Sequence, residues 1–305
     1  MERALNIPKE IGERIRASWD ADELSLYGVF DFILAKDGTP KILEFNADTP
    51  TSLLEASVIQ WQWKEDVFPE CDQFNGIHEG LVQSWKDIFP KKGEIYFAGA
   101  LENNEDTGTL QYLASTAMEA GFSTRVLDMQ ALDLQNGRFF DPAGELVNRC
   151  FKLYPWEWMV DESPDGCLAE MEWLEPIWKL VMSNKAILAT LYELFPDSPY
   201  VLPCYLSRPR SGLFCKKPVF SREGHNVSVV DIRNWEEHVR IAETEGDYNT
   251  GAYVYQEYVE PTVYSGRYPV IGSWIIGGEA AGIGIRENRM EVTDNLSEFV
   301  PHIIG

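Results

Sequence analysis

Three side chains with hard oxygen atoms, Asp31, Glu44 and Asn46, fall on the two arms of "GVFDFILAKDGTPKILEFNADTP", residues 28 to 50. Apolar runs flank Asp37-Gly38, a strong hairpin signal. Pairing the arms about that turn sets Asp31 opposite Glu44 and Val29 opposite Asn46, and strand alternation puts all four on one face. Two directly opposed carboxylates destabilise a ladder by roughly 0.2–1 kcal/mol unless something compensates them. A Mg²⁺ ion would do so, since it takes oxygen ligands and leaves room for water and nucleotide phosphates. A solvent-exposed face with incidental polar residues is the other reading, and spacing alone does not separate the two.

Further along, "FCKKPVFSREGHNVSVV" places Lys217 on a strand before a short loop with Ser221, Arg222, Glu223 and Gly224. Glycine permits close approach, backbone N–H groups donate and the cations neutralise charge, as in a lid over phosphates. The GxxxxGK[ST] pattern is absent, and an ordinary hairpin turn is the alternative. "LYPWEWM" sets Glu157 between Trp156 and Trp158, either an ammonium seat or simply core. "SNKAIL" puts Lys185 at a helix start, where a surface lysine is the default. Gln256 in "YVYQEYV" is able to read a purine edge or to serve as an edge-strand polar residue. No Ser/His/Asp or Cys/His arrangement is arguable from order alone.

The elements that must position these groups are mixed. A charged helix near residues 8 to 19 precedes the hairpin, and Thr51 or Ser52 is placed to cap a following helix. "QFNGIHEGLVQSWKDIF" reads as another helix. "EIYFAGA", a helix closed by Gly121 and "STRVLDM" form a βαβ unit, hence parallel strands. "RCFKLYPWEWM" is a strand running into aromatics, and helical segments surround a break at Ser183-Asn184. The last third is antiparallel β, with a Gly277-Gly278 turn. The fold class is α/β (α+β), with approximate regions 1–145 and 146–305 packed closely, since no Pro/Ser-rich linker intervenes.

The 305 residues are 45% hydrophobic, ample for a core. With 49 acidic against 26 basic residues the formal charge is −23, which disfavours nucleic acid and anionic membrane as partners and favours polyamines or divalent metals. The plainer account of that charge is a soluble surface in the cytoplasm. Five scattered cysteines fit reduced thiols there, and four histidines without cluster spacing leave a structural zinc site no basis. The first twenty residues lack an apolar core, and no run of 18 apolar residues exists, so neither a signal peptide nor a membrane span is expected.

"FDF...KILEFNADTPTSLLEA", "KLYPWEWM", "SNKAIL", "KKPVFSREGHNV" and "YPVIGSWIIGGEAAGIGIRE" together resemble, in that order, the glutathionylspermidine synthase family, most closely its stand-alone members without an amidase domain. The similarity runs from about Leu26 to Pro301. It implies an ATP-grasp fold joined to a preceding α/β region, and an ATP- and Mg²⁺-dependent carbon–nitrogen ligase. In such enzymes a carboxylate takes the γ-phosphoryl group and an amine attacks the acyl phosphate, with glutathione and spermidine as the family's example pair. The resemblance carries the metal ligands onto Asp31, Glu44 and Asn46, and the nucleotide-binding lysines onto Lys185 and Lys217. It carries the phosphate loop onto Ser221 to Gly224, further nucleotide contacts onto Gln256 and Ile276 to Gly278, and a thiol-substrate contact onto Thr49.

Two departures stand out. Where the family has an arginine that stabilises the transferring phosphoryl group, this chain has Val29, and Arg222, Arg267 and Arg286 are the candidate replacements. Met1 also lies only 30 residues before Asp31, which implies a naturally short chain or a fragment. The contrasting expectation is a nucleotide-binding module without catalysis, in a regulatory or scaffolding role. A purely structural acidic protein would leave the five ordered blocks unexplained. The oligomeric state is not legible.

Overall fold

The computed structural model describes residues 7–222, 224–241, 244, 246, 248, 251–291 and 297–305. Helix α1 (Lys9–Asp20) leads into β1 (Tyr27–Leu34) and β2 (Pro40–Asn46). After a π-helical turn at Glu55–Ile59 come α2 (Gln60–Val67), α3 (Ile77–Ile88), β3 (Glu94–Gly99), α4 (Asn104–Glu119) and β4 (Ser123–Asp128). Neither Thr51 nor Ser52 caps the helix by its side chain, and Ser52 instead takes a left-handed φ of 64°.

Three short strands follow, β5 (Asp133–Gln135), β6 (Arg138–Phe140) and β7 (Leu146–Val147), then β8 (Arg149–Leu153), α5 (Trp156–Glu162), α6 (Pro164–Cys167) and β9 (Glu172–Leu174). The last part holds α7 (Lys179–Met182), α8 (Ile187–Leu194), β10 (Cys204–Tyr205), β11 (Gly212–Pro218), β12 (Ser228–Arg233) and β13 (Glu236–Ile241). It closes with β14 (Tyr253–Glu257), β15 (Tyr268–Ile276), β16 (Glu279–Asn288) and β17 (Glu298–Val300).

Three larger sheets result, in the orders β17-β16-β15-β1-β2, β10-β14-β11-β12-β13 and β4-β3-β8-β9, the last of them parallel. The first sheet joins the start of the chain to its end, and a boundary at 145/146 would cut between β6 and β7, which pair. The expected two-region division is therefore not how the sheets are built. Pairing between distant strands buries their ladder groups, so the hairpin folds as part of the C-terminal sheet.

The hairpin reaches the expected register by an unexpected route. Its loop holds Lys36, Asp37 and Gly38 (φ 82°), with Ala35 N–H donating to Thr39 O at 3.0 Å. Counted from that turn, Asp31 would face Leu43. A bulge between Asp31 and Phe32 in the pairing leaves Leu43 as the extra residue and restores Asp31 opposite Glu44 and Val29 opposite Asn46. Bulges of this kind re-aim side chains. Two carbonyls on β2, the edge strand, bond outward: Ile42 O accepts from Gln256 Nε2 at 2.9 Å and Leu43 O from Lys217 Nζ at 3.2 Å, stitching this edge to the second sheet.

One core lies under α3 and α4, where Trp85, Phe97, Phe151, Tyr27 and Trp274 pack together. A second gathers Ile11, Trp156 and Trp173 on the opposite face of the parallel sheet. Lys152, with no exposure, and Asp48, 1% exposed, form an ion pair at 2.6 Å inside the molecule.

Candidate functional site

One cleft of about 280 Å³ lies between the hairpin, the second sheet and the carboxyl ends of β3 and β8, where ligands of α/β sheets gather. It brings together ten residues singled out in the sequence: Asp31, Glu44, Asn46, Thr49, Lys185, Lys217, Arg222, Gly224, Gln256 and Arg286.

The carboxylate pair is compensated by the protein's own cations. Arg286 Nη2 donates to Asp31 Oδ2 at 2.7 Å, and Lys185 Nζ lies 2.8 Å from Glu44 Oε2. Burial pushes the Asp31 carboxyl above the ordinary range, against the opposing pull of Arg286. Burial also resists ionisation of Glu44, but the charges of Lys185 and Lys217 outweigh it and bring that group down to about 2. Lys217, itself buried, donates to neutral acceptors, Gln256 Oε1 at 2.7 Å and the Leu43 carbonyl, and so presents a charge to the cleft.

Arg286 reaches Asp31 across an intervening strand. On β15 and β16 the rung that continues Glu44 and Asp31 consists of Gly272 and Gly284, which have no side chains to block the path. Val29, buried, sits beside this lane. Of the three candidate arginines, Arg222 and Arg286 line the cleft, whereas Arg267 pairs with Glu298 at 3.1 Å and does not.

The loop after β11 closes the cleft's far end. The Ser221 carbonyl accepts from Lys185 Nζ at 2.7 Å, and the Ser221 hydroxyl is buried without a partner among the described residues. Arg222 donates to Thr49 Oγ1 and, at 2.6 Å, to Glu157 Oε1. Thr49 and Glu157, remote in sequence, are thus joined through one guanidinium.

Two expectations fall elsewhere. Ile276, Gly277 and Gly278 do not line the cleft: Ile276 is in the aromatic core, the Gly277 N–H donates to Leu26 O, and a Cβ on Gly277 would meet Ser84 Oγ at 2.6 Å. β15 touches the cleft at Val270 and, at about 3.3 Å per residue, carries its far end, Ile276, roughly 20 Å away. Glu223 lies outside the described residues. Sequence reading also missed lining groups, among them Asp106 and Thr109 on α4 and Tyr154 after β8. The signal available was their position just beyond the carboxyl ends of parallel strands.

Asp31, Glu44 and Asn46 suit a magnesium ion by donor chemistry, and Asp31 Oδ1 is buried without a hydrogen-bond partner, an oxygen left over for a cation. Among the described residues no group of three His, Cys, Asp or Glu side chains gathers as a metal cluster. No helix among the described residues is long and apolar enough to cross a membrane.

Sheets enclosing a cleft of buried lysines, arginines and paired carboxylates make this a mixed α/β fold of ATP-grasp type. A crystal structure titled "Putative gamma-glutamylcysteine synthetase", from Methylobacillus flagellatus, shares that fold with a TM-score of 0.60 at 10% identity, over 99% of this chain and 86% of that one. The chain belongs to the glutathionylspermidine synthase preATP-grasp family, whose model matches residues 1–305. It is 39% identical over 303 residues to a Haemophilus influenzae protein named "Putative acid--amine ligase", covering 94% of this chain and 77% of that one. It is 28% identical to trypanothione synthetase of Crithidia fasciculata, over 97% of this chain and 50% of that enzyme. To the bifunctional glutathionylspermidine synthetase/amidase of Escherichia coli it is 26% identical, over 98% of this chain and 52% of that enzyme. The chain thus spans about half the length of the last two relatives.

Proposed function

We propose that this chain is an ATP- and Mg²⁺-dependent, ADP-forming carbon–nitrogen ligase that joins a peptide-like carboxylate, such as glutathione, to an amine, such as spermidine, through an acyl phosphate. The observation that carries this reading is the convergence in one cleft of Asp31, Glu44 and Asn46 with Lys185, Lys217, Gln256 and Arg286. Phosphoryl transfer of this kind depends on positioning and charge neutralisation, which these groups supply. Lys185 and Lys217 hold phosphates, Gln256 fixes Lys217 and faces the base, and Arg286 supplies the cation that Val29 lacks. A magnesium ion held by Asp31, Glu44 and Asn46 would neutralise phosphate charge. Thr49 and Glu157 serve the thiol peptide and the amine, and Gly224 lets the loop approach the phosphates.

Calorimetric titration of ATP, with Mg²⁺ and again with EDTA, tests the reading. Binding that needs Mg²⁺ and is lost in Asp31→Ala is expected, followed by ADP release when a carboxylate and an amine are both supplied. Absence of binding in either condition overturns it. Binding without ADP release from any pair would make the chain a silent nucleotide-binding module.

A further inference from the structure

Glu157 projects from the first turn of α5, between the buried Trp156 and the more open Trp158. With the Thr49 hydroxyl and the Trp158 ring it forms a seat for a cation: a carboxylate, a hydroxyl acceptor and an aromatic face. Arg222 occupies that seat. Its guanidinium carbon lies 5.8 Å from the Trp158 ring centroid, one terminal nitrogen meets Thr49, and the other meets Glu157 Oε1 at 2.6 Å.

The fit is incomplete on both sides. Glu157 Oε2 and Arg222 Nε are each buried without a hydrogen-bond partner among the described residues. A guanidinium settled on its own carboxylate uses both oxygens, and unmade buried bonds are costly. An alkylammonium is compact and carries three donors, enough for both Glu157 oxygens and the Thr49 hydroxyl.

Resting on the ligase reading above, we infer that Arg222 is an internal stand-in for the acceptor's ammonium, and that an amine entering the cleft exchanges with it. The exchange has a consequence for the nucleotide. Arg222 follows Ser221, whose carbonyl is held by Lys185, which in turn pairs with Glu44 on the hairpin. Released from Glu157, the guanidinium stays within the cleft it lines and joins Lys185, Lys217 and Arg286 as a fourth cation for polyphosphate. Amine and nucleotide therefore promote each other's binding, and linkage makes the effect reciprocal. An acceptor that carries no positive charge does not displace Arg222 and does not promote nucleotide binding.

Calorimetric titration of Mg-ADP into the intact chain, alone and with saturating propane-1,3-diamine or its neutral analogue propane-1,3-diol, tests this. The diamine is expected to tighten Mg-ADP by at least about 5-fold, the lower end of ordinary coupling, and the diol to leave it unchanged. Glu157→Gln, which frees Arg222 permanently, is expected to bind Mg-ADP more tightly without diamine and to show no further response. Arg222→Met is expected to abolish the response, read as the ratio of that variant's own Mg-ADP affinities with and without the diamine. Mg-ADP binding that the diamine leaves unchanged or weakens, or a full response in Arg222→Met, overturns the exchange while the ligase reading stands. No nucleotide binding by the unaltered chain sinks both.

Discussion

Lys152→Met isolates the buried charge pair that underlies the cleft. Lys152 Nζ lies 2.6 Å from Asp48 Oδ1, donates at 2.9 Å to the Tyr154 carbonyl and sits 4.4 Å from the Trp156 ring centroid. Methionine keeps the stem's volume and leaves the Asp48 carboxylate with the Trp156 N–H, at 2.8 Å, as its one remaining donor among the described residues. Breaking a buried pair by removing one partner costs about 3–5 kcal/mol, most of it the uncompensated charge. With an unfolding entropy of about 2.1 cal/mol/K per residue over 305 residues, that loss lowers Tm by roughly 5–8 °C. The double variant Asp48→Asn/Lys152→Met removes both charges yet keeps an acceptor for the Trp156 N–H, so it recovers most of the difference. Differential scanning calorimetry of the two variants beside the unaltered chain reads this directly. A single variant within a degree of the parent, or a double variant no better than the single, would refute the account. The pair matters to the site because Asp48 precedes Thr49 and Trp156 precedes Glu157: it fixes the two sides of the acceptor seat relative to each other.

Further outcomes follow from the same geometry. Arg286→Met removes the charge that most opposes the burial-raised pKa of Asp31, so that pKa rises further. On the ligase reading the sign is then fixed: Mg²⁺-dependent nucleotide binding that uses ionised Asp31 fades at a higher pH as the solution is acidified, and turnover falls by about 10²–10³ as for other removed transition-state donors. Gly272→Val should reproduce this without touching a charge, because a Cβ there already lies 3.1 Å from Val29 and 3.6 Å from Asp31 Oδ1 and fills the lane that Arg286 crosses; unchanged acid limbs in both variants would contradict the lane. Burial lifts the Cys167 and Cys204 thiols to about 12 and raises Cys150 as well. A colorimetric thiol reagent at about pH 8 should therefore label these three only after unfolding, since the thiolate is the reacting form.

Element types were largely legible because their periodicities are local: the βαβ unit, the break at Ser183-Asn184 and the strands around the Arg222 loop stand where the pattern puts them. β13 was not, because "EEHVRI" is a polar, mostly exposed strand with no apolar alternation to announce it. The Asp31 and Glu44 register came from assuming a two-residue turn. The true loop is one residue longer, and the Leu43 bulge cancels the error. Lys152 carried a signal that went unused, a lysine amid the apolar residues of a parallel strand, where a charge needs a buried partner. Ile276 to Gly278 came from the family resemblance alone, whereas the residues themselves read as a turn, and in the fold that turn closes a hairpin against α3.

On the ligase reading, sheet topology supplies the site with a cation where Val29 carries none. A cation on β1 at that position would lie beside Asn46 and Asp31 on the cleft face. The chain closes its first sheet by inserting β15 between β1 and β16, which places the glycines of two adjacent strands in line with the carboxylates. Arg286, two residues beyond Gly284 on the same face, extends over that gap to Asp31. On that reading, Val29 and the glycines at 272 and 284 are parts of one arrangement. Restoring arginine at position 29 would set two guanidinium groups against one buried carboxylate, and so weaken the grip of each on Asp31.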